Sequence, residues 1–218
     1  MQTKAILWDL DGVIVDSGPY HFEAYKRVFH VHGHDLTRER FFAELLGLRN
    51  PAIIRAVLGE LPAEDMAKIA DLKEETFRSL VQGHVVALPG ACEMIDRAKT
   101  EGILQAIVSS TPRANIDLVV GSLGLRDAFA TIVGEEDASR GKPDPEGFTV
   151  AAARLGVHPN ACVVIEDAPE GITAGNAAGA RTIAVTSTRP RDRLTHASLV
   201  VDTLDERVVW PFIAGIAS

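Results

Sequence analysis

The stretch Trp8-Asp9-Leu10-Asp11-Gly12-Val13-Ile14-Val15-Asp16-Ser17 sets two carboxylates two residues apart at the end of an apolar run, with a glycine directly after the second. The preceding Lys4-Ala5-Ile6-Leu7-Trp8 reads as a short buried strand. Extended geometry points Asp9 and Asp11 to the same side. Two adjacent carboxylates are costly within a sheet buried on both faces. They make sense at the carboxyl end of a strand, where open α/β sheets bind ligands. A hard cation such as Mg²⁺ would offset their repulsion there. The plain structural alternative is a polar Asp-Gly turn closing a strand.

Three further segments suit anion and phosphate chemistry. Ile107-Val108-Ser109-Ser110-Thr111-Pro112 ends a strand and opens a helix. Hydroxyls and backbone N–H groups at a helix N-terminus make an anion site, although Ser and Thr also cap helices with no ligand present. Gly141-Lys142-Pro143-Asp144-Pro145 holds a lysine in a loop stiffened by prolines. Such a lysine can neutralise charge on a transferring phosphoryl group, whereas a solvated surface lysine is the ordinary reading. Val163-Val164-Ile165-Glu166-Asp167-Ala168-Pro169 again ends an apolar strand in two acids. These acids either complete a metal site or sit at the N-terminus of the next helix, where its dipole favours them.

The elements that must position these groups alternate from about residue 84 onward. Helices are expected at Pro89 to Thr100, Pro112 to Leu123 (with Thr111 as N-cap), Pro145 to Leu155 and Pro169 to Ala178. Strands are expected at Ile103 to Val108, Ala130 to Val133, Cys162 to Ile165, Thr182 to Val185 and Leu199 to Val201. This alternation implies an α/β fold, a parallel sheet with helices on both faces. Residues 18 to 82 break the pattern with helices only: Tyr20 to His30, Arg38 to Leu46, Pro51 to Leu58 and Ala63 to Val81. We therefore expect residues 1–16 and 84–218 to form an α/β core, and 17–83 an inserted all-α domain. An insertion at that point suits a lid above the carboxyl end of the sheet.

Composition narrows the function classes. The 218 residues are 46% hydrophobic and carry a formal net charge of −8, which disfavours a nucleic-acid partner. The two cysteines, Cys92 and Cys162, lack zinc-like spacing and read as reduced thiols of a cytoplasmic protein. No apolar run reaches the roughly 18 residues of a membrane span, and Asp9 and Asp11 interrupt any signal-peptide pattern. No large exposed apolar face is demanded, so a monomer is expected. The Trp210-Pro211-Phe212-Ile213 segment is expected to pack back onto the core.

The order DxDGV, Ser, GKPDP, EDAPEGI resembles the haloacid dehalogenase superfamily over essentially the whole chain. The place of the helical insertion looks like the family's first cap type, as in its phosphoglycolate phosphatase and β-phosphoglucomutase branches. The resemblance implies that residues 1–16 and 84–218 form a Rossmann-like catalytic core and 17–83 its helical cap, and it implies Mg²⁺-dependent phosphoryl transfer through an aspartyl phosphate. By position it implies Asp9 as nucleophile and Asp11, followed by Gly12, as general acid/base. It implies Mg²⁺ held by Asp9, the Asp11 carbonyl and Asp167, with Glu166 close by. Ser109 and the Ser110 amide match the phosphate cradle, with Thr111 beside them, and Lys142 matches the lysine that pairs with Asp9. Asp11 sets aside the dehalogenases proper and the phosphonate-cleaving branch, both of which lack it.

Hydrolase and mutase share all of this. His21 resembles a histidine near the cap hinge of both. Arg49 lies close to the position of the mutase arginine that grips a second phosphate, but falls one residue early, so that Asn50 takes the place. Arg113 is a candidate for the non-reacting end of the substrate, or an ordinary surface arginine. Arg27 and Arg55 read as solvated. The expectation is a phosphatase acting on a small phosphorylated metabolite, a sugar or sugar-alcohol phosphate first. The alternative is a β-phosphoglucomutase-like hexose phosphate mutase. A non-catalytic binding protein comes last, because the set Asp9, Asp11, Ser109, Lys142 and Asp167 is intact.

Overall fold

The structure, a computed structural model, describes residues 3–215. The chain opens with β1 (Ala5–Trp8). Four helical segments follow: α1 (Gly18–Val31), α2 (Arg38–Arg40) running into a π-helical turn at Phe41–Leu45, α3 (Asn50–Leu58) and α4 (Ala63–Val81). Alternation then begins with α5 (Ala91–Thr100), β2 (Leu104–Val108), α6 (Arg113–Ser122), β3 (Thr131–Val133), α7 (Glu146–Arg154) and β4 (Cys162–Glu166). It continues with α8 (Pro169–Ala178), β5 (Arg181–Val185), β6 (Leu199–Val201) and α9 (Glu206–Ala214). Two compact units result. One holds residues up to Asp16 and from Val86 onward, the other Ser17–Val85.

The first unit is a Rossmann-like α/β layer structure. Its six-stranded sheet has the order β3-β2-β1-β4-β5-β6, with every neighbouring pair parallel. All four residues of β1 are fully buried, as suits a central strand covered on both faces. Alternation assigns the faces. Leu7, Ala106 and Val108 share a cluster with Phe148, Ala151 and Ala152 of α7. Gln105 points the other way, accepting from Trp8 Nε1 at 3.0 Å and donating to Ile95 O of α5 at 3.0 Å. That buried amide is therefore satisfied rather than orphaned. The three-residue strands β3 and β6 form short edges. The C-terminal segment packs as expected: Val209, Trp210 and Ile213 of α9 are buried, and Arg97 of α5 lies over the Trp210 ring.

The second unit is all helical. Tyr25, Phe29, Phe41, Ile53, Ile54 and Ile69 are among the residues of its core. The expected single helix at Arg38 to Leu46 is corrected to a short α-turn followed by a π-turn, in which Leu46 N–H reaches back to Phe41 O at 2.9 Å. The wider turn brings Phe41 and Leu45 both to the inside.

Candidate active site

The ladder of β1 continues one residue past its end, since Asp9 N–H donates to Ile165 O at 2.9 Å. The chain then turns sharply: Gly12 N–H meets Val15 O at 2.7 Å, and Ile14 N–H meets Leu10 O at 2.9 Å. Gly12 has φ +83°, and a Cβ there would lie 2.3 Å from Asp167 Oδ2. Only glycine meets both demands. The turn thereby leaves Asp9 buried at the carboxyl end of the central strand.

Parallel pairing of β1 with β4, Trp8 opposite Ile165, sets Glu166 and Asp167 beside Asp9. Asp9, Glu166 and Asp167 are all buried, and each offers a ligand atom within 4.8 Å of the others. Lys142 enters from the loop before α7. Its ammonium donates to Asp9 Oδ1, to Glu166 Oε1 at 2.6 Å and to Val108 O at 3.1 Å. These three acceptors match the three N–H groups of a lysine. Glu166 is held from its other oxygen, which accepts from Asp167 N–H at 3.0 Å and Ala168 N–H at 3.2 Å. Gly171 permits the approach, because a Cβ there would sit 1.9 Å from Glu166 Oε1.

The electrostatics follow from one cation among several carboxylates. Burial, the largest influence, drives the Asp9 carboxyl well above its ordinary value; Lys142 opposes this, while Glu166, Asp167 and Asp11 reinforce it. Burial and then Glu166 push Asp167 up to about 7, against a hydrogen bond from Thr188. Burial pulls the Lys142 ammonium downward, but Asp9 and Glu166 outweigh it and hold the pKa above its usual value. The site therefore carries negative charge that its own lysine does not balance. Three clustered oxygen donors with that excess fit a hard divalent cation such as Mg²⁺.

Asp11 is partly exposed, and its Oδ2 accepts from the Thr111 hydroxyl at 2.7 Å. Thr111 is thus corrected from its expected role as N-cap of α6. Pro112 occupies the cap position, and the carboxylate of Glu136 instead accepts from Arg113 N–H at 3.0 and 3.1 Å. Thr111 is free of that duty because a residue from beyond β3 supplies the cap. Ser109 is buried at the end of β2, and its Oγ accepts from Thr111 N–H at 3.1 Å. Ser110 lies between them on the same turn. Arg113 pairs with Asp117 at 3.0 Å along its own helix, outside the carboxylate cluster.

The remaining candidates belong to the helical unit. His21 stacks on Phe77, with centroids 4.0 Å apart, and its Nδ1 lies 3.0 Å from Lys73 Nζ. Lys73 is buried and donates to Glu74 Oε1 at 2.8 Å. Asn50 donates to the same Glu74 oxygen at 2.7 Å and accepts from the Tyr25 hydroxyl. Arg49 precedes it as N-cap of α3. Arg27 and Arg55 are exposed and paired with Glu23 and Glu60.

The sequence signals leave out two contacts, one to the carboxylate cluster and one to the turn beside it. Thr188 donates to Asp167 Oδ2, and Ser187 donates to the Gly12 carbonyl. Both follow β5, whose pairing with β4 brings the next loop alongside. The available signal was another apolar strand, Arg181–Val185, ending in hydroxyl residues, as β2 does.

Residues 6–185 match the family model of the haloacid dehalogenase-like hydrolases. Among similar proteins, protein CbbY of Rhodobacter capsulatus is 33% identical over 84% of this chain and 85% of its own length. Hexitol phosphatase A of Escherichia coli K12 is 33% identical over 96% and 95%. The crystal structure of β-phosphoglucomutase from Clostridium difficile superimposes with a TM-score of 0.85 at 28% identity, covering 97% of this chain and 96% of that one. Among the described residues, no helix is long and apolar enough to cross a membrane.

Proposed function

The chain belongs to the haloacid dehalogenase-like hydrolases and is a phosphoric monoester hydrolase; from that premise we propose that it is a Mg²⁺-dependent phosphatase of a small sugar or sugar-alcohol phosphate. The observation that carries the reading is the contact of Lys142 with Asp9 inside the Asp9, Glu166 and Asp167 cluster. Asp9 attacks phosphorus and forms an aspartyl phosphate as the P–O bond to the substrate alcohol breaks. Asp11 gives its proton to the departing alkoxide, then takes one from the water that attacks the aspartyl phosphate, releasing inorganic phosphate. Thr111 engages Oδ2 of Asp11 and so orients its carboxyl group. The Ser109 hydroxyl and the Ser110 amide suit the phosphoryl oxygens. Lys142 offsets the negative charge gathered on Asp9 and the phosphoryl group. Asp9, Asp167, Glu166 and the Asp11 carbonyl would hold Mg²⁺, which when bound supplies positive charge to the phosphoryl oxygens.

The hexitol phosphatase relative supports a sugar-alcohol phosphate as substrate. The β-phosphoglucomutase neighbour supports a second reading, isomerisation of a hexose 1-phosphate. Asn50 speaks against it: its amide is engaged by Tyr25 and Glu74 within the helical unit, where a mutase is expected to present an arginine to a second phosphate. We take the protein to be a monomer of the cytoplasm that binds neither nucleic acid nor membrane. Phosphate release is to be measured over a panel of sugar and sugar-alcohol phosphates, with Mg²⁺ and with EDTA. Release that requires Mg²⁺ supports the phosphatase. Conversion of glucose 1-phosphate to its 6-phosphate without release, in the presence of a bisphosphate activator, supports the mutase.

A further inference from the structure

The loop after β5 brings one hydroxyl to the carboxylate cluster and one to the turn beside it, and neither belongs to the residues assigned above to catalysis or metal binding. Thr188 Oγ1 donates to Asp167 Oδ2, and Ser187 Oγ donates to the carbonyl of Gly12. Gly12, Asp167 and Thr188 approach one another closely: a Cβ on Gly12 would lie 2.3 Å from Asp167 Oδ2 and 2.8 Å from the Thr188 methyl. The loop is also tied from outside. Thr186 donates to Asp202 Oδ1 at 2.9 Å, and Arg191 reaches that atom at 2.7 Å and Val200 O at 2.9 Å. Thr188 is therefore a held donor on a buried carboxylate rather than a wandering surface hydroxyl.

On the reading of a Mg²⁺ site at Asp9, Glu166 and Asp167, we propose that Thr188 is a positioning residue that makes Asp167 a one-oxygen ligand and so sets the preference of the site for Mg²⁺ over Ca²⁺. The hydrogen bond engages Oδ2 and fixes the carboxylate plane, which leaves Oδ1 as the favoured donor to a cation. Mg²⁺ demands near-octahedral geometry with single oxygens, whereas Ca²⁺ accepts bidentate carboxylates and irregular shells. A carboxylate freed to rotate and offer both oxygens serves Ca²⁺ at least as well and Mg²⁺ worse. Outer hydrogen bonds to metal ligands commonly govern affinity to this degree.

The test is calorimetric titration of the metal-stripped protein with Mg²⁺ and separately with Ca²⁺, without substrate, for wild type, Thr188→Val and Thr188→Ser. Thr188→Val keeps the shape and loses the donor. Its Mg²⁺ dissociation constant should rise about 10- to 100-fold while that for Ca²⁺ changes by under about threefold. Thr188→Ser should restore the wild-type ratio, which a loss of folding or packing would not allow. A Thr188→Val ratio within about twofold of wild type overturns the proposal and leaves the phosphatase reading intact. A wild type that binds neither ion while phosphate release proves independent of metal overturns the metal reading and this proposal together.

Discussion

Lys142, part-buried, and Lys73, buried, are each bonded to a buried glutamate, one in each unit, yet their surroundings differ in charge balance. Lys73 donates to the carboxylate of Glu74, which Asn50 also donates to. Burial, the largest influence, pushes Glu74 upward, but the charge and hydrogen bond of Lys73 prevail and hold its carboxyl below the ordinary value. Lys142 stands instead among Asp9, Asp11, Glu166 and Asp167, and the Asp9 and Asp167 carboxyls rise. At Lys73 the charge of the ammonium is matched by Glu74 within the helical unit. An unbalanced cluster retains repulsion that an external cation relieves, and perturbation of that kind gathers at functional sites. The charges around each lysine separate the two.

The sharpest way to break this contrast is at Asp9. Asp9→Asn should lower Mg²⁺-dependent phosphate release by roughly 10⁴-fold or more, since an amide is no nucleophile for phosphorus. Retention of activity in a purified variant, assayed beside wild type, would end the aspartyl-phosphate reading. Lys142→Met should cost about 10²- to 10³-fold in phosphate release, whereas Glu74→Gln acts first on stability.

Next in size are the lysines themselves. Lys73→Met removes the cation bonded to buried Glu74 and should destabilise by roughly 3–5 kcal/mol in urea unfolding; adding Glu74→Met should recover most of that loss. At Lys142 no single carboxylate deletion should do the same, because more than one acid remains. Equal recovery at both sites would erase the distinction.

The smallest effects are in pH. Glu74 has a folded pKa below its ordinary 4.5. Its contribution is therefore complete above that value and lost as pH falls through the folded one. Asp167 is raised from 3.8 to about 7, so the folded protein holds its proton more tightly than the unfolded chain. Without metal, Asp167 then disfavours the folded state increasingly as pH rises from about 4 to 7. In EDTA, Asp167→Asn should melt above wild type at about pH 8, with the gap closing toward about pH 4. Saturating Mg²⁺ should raise the wild-type melting temperature at the higher pH and leave the variant nearly unmoved. Glu74→Gln should show the opposite slope, melting below wild type at neutral pH and converging only in acid.

Much of the architecture was legible before any coordinates. The helical stripe Met66, Ile69, Ala70, Phe77 and Leu80 marks α4, and Pro169 at the start of α8 marks its first turn. The apolar runs ending in acids mark β1 and β4, because a parallel strand buried on both faces leaves no other place for charge. Three features were not legible. The π-turn at Phe41–Leu45 answers to the packing of Phe41 and Leu45, which periodicity does not encode. Thr111 gives up its capping role because Glu136, twenty-five residues on, takes it. Lys73 and Glu74 look like solvated helix charges, and only the approach of α1 and α3 buries them.

Asp9, Asp11, Ser109, Glu166 and Asp167 were singled out by residue type and by their positions at strand ends, and Lys142 by its place in a proline-stiffened loop, since local chemistry and strand periodicity are written in consecutive residues. Which groups touch was decided by tertiary structure alone. Parallel pairing of β1 with β4 and of β4 with β5 sets Asp9, Asp167 and Thr188 side by side across long sequence separations. Burial among them then decides which carboxylates hold their protons, because desolvation and the sum of neighbouring charges exist only once the chain has folded.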